Sequence, residues 1–124
     1  MKTYKTAWFV RFARKEGISD ASLRDAIDRA EQGVVDADLG GGVIKQRIAR
    51  AGEGKSGGWR SIVLFHRHGK AFFVFGFAKN TQANIRTDEL EQFKKMAKHV
   101  LALSDQQVAD LVAKKQFEEV ANHD

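Results

Sequence analysis

Lysine and arginine side chains that could hold the phosphates of a polyanion are concentrated in one part of this sequence. Between Val43 and Arg86 there are nine of them against a single acid, Glu53, in a chain of 124 residues whose formal net charge is +5. They alternate with aromatic and β-branched residues, which favour strands, rather than with the glycine and serine of a linker. The block therefore predicts a folded surface that attracts a polyanion, and the alternative is a basic face that serves only for solvation.

Two members of this block, Arg60 and Lys79, are predicted to share one face of a β-hairpin. The pair His68-Gly69 between the two strands suits a two-residue turn. In that register Arg60 lies opposite Phe77, and Lys79 is its diagonal neighbour, so that both cations reach one phosphodiester. A three-residue turn would shift the register by one residue and separate them.

Lys45 and Arg47 lie on the preceding predicted strand, where they alternate with Ile44 and Ile48. Because successive side chains point to opposite faces of a strand, the two cations share one face and the isoleucines share the other, buried face. The basic pair is a candidate to position an extended polyanion. The alternative is an ordinary solvated sheet face.

Lys55 stands in a glycine-rich segment, residues 52–58, that we predict to be a loop. Residues 49–56 match a relaxed phosphate-loop pattern, but that loop needs a helix after it, whereas Gly57-Gly58 leads into a strand. No acid on a later apolar strand follows to hold magnesium. We therefore predict a flexible loop that presents Lys55 to a phosphate, with a plain connector between strands as the alternative.

Several other kinds of site are excluded by composition. The chain has no cysteine, which rules out disulfides, cysteine zinc sites and thiol nucleophiles. His66 and His68 lack a third ligand, so we expect no metal and no cofactor. No apolar run is long enough to span a membrane, and the first residues lack the features of a secretory signal, which favours a cytoplasmic protein.

Hydrophobic periodicity predicts the elements that must position the cations. Helical spacing precedes residue 43, a period of two follows, and helical spacing returns after residue 86. The order β-α-α-β-β-β-α-α predicts an α+β fold with one antiparallel sheet. The two N-terminal helices should pack on one face of the sheet, and the C-terminal helices that follow in the chain should lie on the same face. The predicted elements are a strand at 3–7, helices ending at Gly17 and Gly33, the second capped by Ser19, a loop at 36–42, strands at 43–49, 59–67 and 70–79, and helices capped by Thr87 and Ser104.

Taken together, three stretches of the sequence resemble the RelE/ParE toxin superfamily and, within it, the RelE/HigB-like branch. The resemblance covers nearly the whole chain. The stretches are Gly-Lys-Ser-Gly-Gly-Trp-Arg at 54–60, Ala-Phe-Phe-Val-Phe-Gly-Phe-Ala-Lys-Asn at 71–80, and Ala83-Asn84-Ile85 followed by Glu89-Leu90.

This resemblance implies a single RelE-like toxin domain at 1–124 with a C-terminal helical extension at 104–124. It implies the toxin of a type II toxin–antitoxin system, an endoribonuclease that cuts messenger RNA on the translating ribosome and so inhibits translation. The implied partners are the ribosome, its mRNA and a cognate antitoxin, often a helix-turn-helix protein in HigA-like systems.

The resemblance also implies roles for individual residues. Arg60 matches the arginine that contacts the scissile phosphate, and Lys79 matches a basic residue at the end of the fourth strand. Lys55 and Arg47 match basic positions near the second strand and its loop. RNA needs no metal for cleavage if its own 2′-hydroxyl attacks the adjacent phosphate. We therefore expect Arg60 to stabilise the phosphorane, with Lys79 and Lys55 as candidates for proton transfer.

Other residues near this segment are candidates to hold the RNA. Arg47 and Lys45 would position the strand, and Asn80 and Asn84 would orient the substrate or only cap the loop in which they lie. Some members of the branch carry a tyrosine or histidine in the C-terminal part of the active site. The only tyrosine here, Tyr4, lies in the predicted opening strand, so the sequence assigns no general base.

Two other classes of function remain open at this stage. A ParE-like toxin would poison DNA gyrase by protein contact and would expose apolar residues on its opening helices. A noncatalytic RNA-binding module would turn aromatic rings outward from the sheet for base stacking. Phe72, Phe73, Phe75 and Phe77 are the rings available for that purpose.

Overall fold

The computed structural model describes residues 1–50, 54–79 and 84–122, and of residues 54–56 it describes the backbone alone. The helices and strands, in chain order, are β1 (Lys2–Thr6), α1 (Ala7–Glu16), α2 (Asp20–Glu31), β2 (Ala37–Gly40), β3 (Val43–Arg50), β4 (Gly54–Phe65), β5 (Lys70–Ala78), α3 (Thr87–Val100), α4 (Asp105–Ala113) and β6 (Phe117–Glu119).

The strands form one six-stranded sheet in the order β2-β3-β4-β5-β1-β6. The predicted α+β class is confirmed. The prediction of an antiparallel sheet holds for the pairings of β2, β3, β4 and β5 along the chain and for β1 with β6, but β1 pairs with β5 in parallel. A parallel pairing needs a long crossover, which α1, α2 and the strands β2 to β4 supply between β1 and β5.

Helices cover both faces of the sheet, so the expectation that all of them share one face is wrong. The strands β4 and β5 are apolar on both sides, as strands buried between two layers are, and each face needs its own cover. On one face α1 and α2 enclose a core that includes Phe9, Leu23, Ile27, Ile44, Ile48, Trp59, Val63 and Phe73. On the other face α3 and α4 enclose Tyr4, Val43, Ile62, Leu64, Phe72, Val74, Ala97 and Val108.

Capping residues set most helix ends where the sequence predicts them. The Ser19 hydroxyl accepts a hydrogen bond from the Ser22 amide, and Gly17 ends α1 with a left-handed φ of 73°. Ser104 and Gln107 form the predicted reciprocal capping box. The helix α3, however, is capped by Arg86 and not by Thr87, because Glu89 Oε1 accepts from the Arg86 amide at 2.8 Å.

Three segments differ from the predicted elements. Residues 37–40 of the predicted loop form the edge strand β2, because Leu39 packs into the core beneath α3. Residues 54–58 of the predicted glycine loop belong to β4, and residues 52 and 53 of that loop lie outside the described part of the chain. The strand β6 has only three residues, two of them glutamates, which is too short and too polar for a periodicity signal.

The β4–β5 hairpin contains the predicted pairing of Arg60 with Phe77, but its turn is not the predicted one. Residues 67–69 form a three-residue loop between His66 and Lys70, closed by the Gly69 amide donating to His66 O at 2.8 Å, so the predicted two-residue turn is wrong. Near the loop the register is shifted by one residue, but a β-bulge at Val74 restores it, and Arg60 pairs with Phe77 as predicted. The bulge therefore corrects the slip that a three-residue loop would otherwise cause.

A buried lysine ties the C-terminal strand to the N-terminal part of the fold. The side chain of Lys5, 8% exposed, binds Asp20 Oδ1 at 2.7 Å and Glu118 Oε2 at 2.9 Å. Asp20 also accepts from the Ala121 amide at 3.0 Å. Burial alone would raise the pKa of Asp20, but the hydrogen bonds from Ala121 and Lys5 outweigh burial and lower that pKa below its ordinary 3.8.

We predict that this cluster makes stability depend on acid pH. Because the folded-state pKa of Asp20 is depressed, its contribution is present above the unfolded value of 3.8 and is lost as the pH falls through the folded value. The variant Asp20→Asn should lower the free energy of unfolding by about 1–2 kcal/mol at pH 7 and should flatten the loss of stability below pH ~4. Urea unfolding of both proteins between pH 7 and pH ~2.5 measures this, and parallel curves would contradict it.

Candidate functional site

Two arginines, Arg47 on β3 and Arg60 on β4, lie directly opposite each other in the sheet. The Arg47 amide donates to Asp36 Oδ2 at 2.5 Å, and the Arg47 carbonyl accepts from Arg29 Nη2 at 2.6 Å. Both backbone groups therefore point away from β4. In an antiparallel ladder this orientation makes a non-hydrogen-bonded pair, in which the Cα atoms are only about 4.5 Å apart and the side chains are closest.

Arg60 is a buried cation with unused hydrogen-bonding capacity. The residue is 8% exposed, and its Nη1 atom has no hydrogen-bond partner among the residues that the structure describes. Burial and then the charge of Arg47 lower the pKa of Arg60, while Asp36 opposes them. A guanidinium nevertheless stays charged, so two like charges face each other across the strands at a cost in stability. An anion between them would remove this repulsion.

An apolar floor continues this face of the sheet beside the arginine pair. Ile62 and Leu64 are fully buried there, and Phe75 packs against Phe93 of α3 with ring centroids 5.7 Å apart. Phe73, which uninterrupted alternation along β5 would place on the same floor as Phe75, lies on the other face against Phe9, because the bulge reverses the alternation. Rigid apolar packing on this side limits the positions that the Arg60 guanidinium can take.

Lys45 and Asn84, both predicted to bind RNA, are brought together. Lys45 lies opposite Ile62, on the same face as the arginine pair, and its Nζ donates to Asn84 Oδ1 at 3.4 Å. Asn84 Oδ1 also accepts from the Ile85 amide at 2.9 Å, so this side chain does make the local bond considered as its alternative. The structure thus extends the basic face from the arginine pair to the segment before α3.

The remaining predicted residues are described to different degrees. Lys79 directly follows β5, whose last residue Ala78 pairs with Trp59, and its side chain is exposed at the Arg60 end of the hairpin. The backbone of Lys55 lies in β4, but its side chain lies outside the described residues, as does Asn80 altogether. The catalytic and RNA-binding roles of the predicted residues stay predictions.

Sequence reasoning missed Arg29 and Asp36, which contact the backbone of Arg47 from outside the basic block. An acid placed just before a basic strand is a weak signal, because its partner depends on how α2 packs beside β3. Tyr4 is not part of this cluster: it is buried, and its ring stacks on Phe72 with centroids 5.2 Å apart. Burial, and then the charges of Glu119 and Asp105, raise the pKa of Tyr4. Its phenol therefore stays protonated and is not available to accept a proton.

The rings considered for base stacking are turned inward. Phe72, Phe73 and Phe77 are buried, and Phe75 packs between Trp8 and Phe93. They provide core and not a stacking platform. Within α1 and α2, both described throughout, the exposed large apolar residue is Trp8, at 39%.

No helix in residues 1–50, 54–79 and 84–122 combines the length and the hydropathy needed to cross a membrane. Within those same ranges, no three histidine, aspartate or glutamate side chains lie close enough together to hold a metal ion.

The chain matches a known protein family over most of its length. The matching family model is that of the RelE toxin of the RelE/RelB toxin–antitoxin system, and the match covers residues 1–120. The chain therefore belongs to the RelE toxin family and is a toxin of a toxin–antitoxin system, which implies an antitoxin partner. A search of curated proteins found no match.

We predict that the arginine pair lowers stability and that an oxyanion reverses this effect. Replacing Arg60 by methionine removes the buried charge opposite Arg47, and should raise the free energy of unfolding by about 1 kcal/mol. Sulfate should raise the melting temperature of the wild type more than that of Arg60→Met, with sodium chloride of equal ionic strength as the control. Equal shifts in both proteins would show that the pair binds no oxyanion.

Proposed function

We propose that this toxin is a metal-independent endoribonuclease of the RelE/HigB-like branch, which cuts messenger RNA on the translating ribosome. The observation that carries the proposal is the Arg47–Arg60 pair, an electrostatically unfavourable arrangement of two guanidinium groups, one of them buried, whose like charges suit a phosphate. Stability alone does not favour such a pair, because replacing buried charges by apolar residues is often stabilising. Binding of a phosphodiester gives it a function.

The reaction would use the RNA's own 2′-hydroxyl as the nucleophile. Its oxygen bonds to the adjacent phosphorus, its proton passes to a base or to water, and the bond from phosphorus to the 5′-oxygen breaks. The departing 5′-oxygen takes up a proton, so the products end in a 2′,3′-cyclic phosphate and a 5′-hydroxyl. The chain must stabilise the additional negative charge on the phosphorane and supply or accept protons.

This scheme gives each predicted residue a task. Arg60 places its guanidinium on the phosphorane oxygens, and Arg47 holds the same or the next phosphate from the neighbouring strand. Lys79 and Lys55 are the candidates for proton transfer. Lys45 and Asn84 together, with Asn80 in the same segment, extend the contact along the RNA strand.

The domain bounds, the cellular compartment and the type of antitoxin are part of the same proposal. We infer one toxin domain over residues 1–124, with residues 104–124 as its C-terminal extension, acting in the cytoplasm. The antitoxin is proposed to be a helix-turn-helix protein of the HigA-like type. The description of this chain as a RelE-family toxin supports this assignment, and the RelE/HigB-like motif at 54–60 favours that branch.

We predict that Arg60→Ala abolishes cleavage while leaving folding and antitoxin binding intact. Loss of one donor to an oxyanion costs about a hundredfold or more in rate, and Arg60→Lys should recover part of it because a lysine keeps the charge but not the fork. Mapping of RNA 5′ ends after induction in cells measures cleavage. New ends within translated messages are expected for the wild type.

The matched control is Arg67→Ala, which removes an exposed arginine from the loop at the other end of the same hairpin. This variant should cleave like the wild type. Unchanged cleavage by Arg60→Ala would remove Arg60 from the site. Growth arrest with broken DNA and intact messages would instead support a gyrase poison.

A further inference from the structure

At Arg47, side chains and not a strand complete the edge of β3 that β2 covers at Val43–Lys45. The first residue of β2, Ala37, pairs with Lys45, so β2 does not extend alongside Arg47. There the Asp36 carboxylate accepts from the Arg47 amide at 2.5 Å, and Arg29 Nη2 donates to the Arg47 carbonyl at 2.6 Å. These two side chains occupy the places that a neighbouring strand would fill.

This side-chain clamp is itself anchored to the helix layer. Arg29 Nη1 lies 3.9 Å from Asp36 Oδ2, so the two side chains also attract each other. The fully buried Gln46 donates to Ala26 O at 2.9 Å and to Val34 O at 3.1 Å, and its Oε1 accepts from the Asp36 amide at 2.8 Å. Helix α2, the segment after it and β3 are therefore joined at the residue before Arg47.

The clamp acts on Arg47, the residue of β3 that lies opposite Arg60. An unpaired strand edge frays and twists readily, and a change in the backbone of residue 47 would redirect its long side chain. Fixing both the amide and the carbonyl of Arg47 holds its Cα–Cβ bond toward the face shared with Arg60. A displacement of about 1 Å at a positioning group can reduce a reaction rate a hundredfold.

We propose that Arg29 and Asp36 are positioning residues, which hold Arg47 opposite Arg60 so that both guanidinium groups contact one RNA phosphate segment. This inference rests on the proposed ribonuclease function. It assigns a role in that reaction to two residues that lie outside the basic block and touch no RNA themselves.

The test is a double-mutant cycle on single-turnover cleavage of ribosome-bound mRNA. Asp36→Ala and Arg29→Ala should each reduce the cleavage rate about tenfold. Asp36→Asn should stay within about threefold of the wild type, because its amide oxygen still accepts from the Arg47 amide. In an Arg47→Ala background, removal of Asp36 or Arg29 should change the rate by less than about twofold, because their action passes through Arg47.

The control is Asp38→Ala, which removes a nearby acid on β2 that accepts from the Gly40 amide at 2.9 Å and is not part of the clamp. It should cleave like the wild type, and thermal unfolding of every variant shows which ones fold. If Asp36→Ala fails to fold, Arg29→Ala gives the same test, since its side chain is 38% exposed and makes its bond from α2.

If the loss of cleavage rate caused by Asp36→Ala or Arg29→Ala adds to the loss caused by Arg47→Ala, the positioning role is overturned. The same holds if Asp36→Asn fails to restore cleavage. Either result leaves the ribonuclease function intact. A folded wild type that cleaves no message on ribosomes would overturn the proposed function, and this inference with it.

Discussion

Two like charges, those of Arg47 and Arg60, are held against their mutual repulsion at the centre of the basic face. Arg47 and Arg60 face each other in a non-hydrogen-bonded pair, and Arg60 is buried with Nη1 unpartnered among the described residues. Nothing in the stability of the fold requires this pair. What surrounds it serves to keep it in place: an apolar floor under Arg60, a side-chain clamp on Arg47, and a sheet covered by helices on both faces.

The register between β4 and β5 places Phe77 opposite Arg60, and it depends on two compensating irregularities in the hairpin. A three-residue loop at 67–69 shifts β5 by one residue, and the bulge at Val74 shifts it back before Arg60. The same bulge turns Val74 and Phe75 toward the same core beneath α3. A change in the loop alone would shift β5 relative to β4 and would move Phe77, and Lys79 after it, relative to Arg60.

Local patterns in the sequence were enough for the α+β class, most helix caps and the face shared by Lys45 and Arg47, because each depends on alternation or on residues close in the chain. The Arg60–Phe77 pairing was also predicted, although the assumed turn was wrong and the bulge corrects it. Sequence reasoning could not reach the parallel β1–β5 pairing, the strand β6, or the contacts of Arg29 and Asp36 with Arg47. These depend on long-range packing, for which a single sequence carries no periodic signal.

In the proposed reaction this basic cluster directs the RNA's own 2′-hydroxyl at the scissile phosphate. The most direct test is cleavage of a ribosome-bound message that carries one 2′-deoxynucleotide on the 5′ side of the mapped cut, compared with the all-ribose message. We expect this single substitution to abolish cleavage at that bond, and the all-ribose product to end in a 2′,3′-cyclic phosphate. Cleavage of the deoxy-substituted bond at an undiminished rate would contradict it.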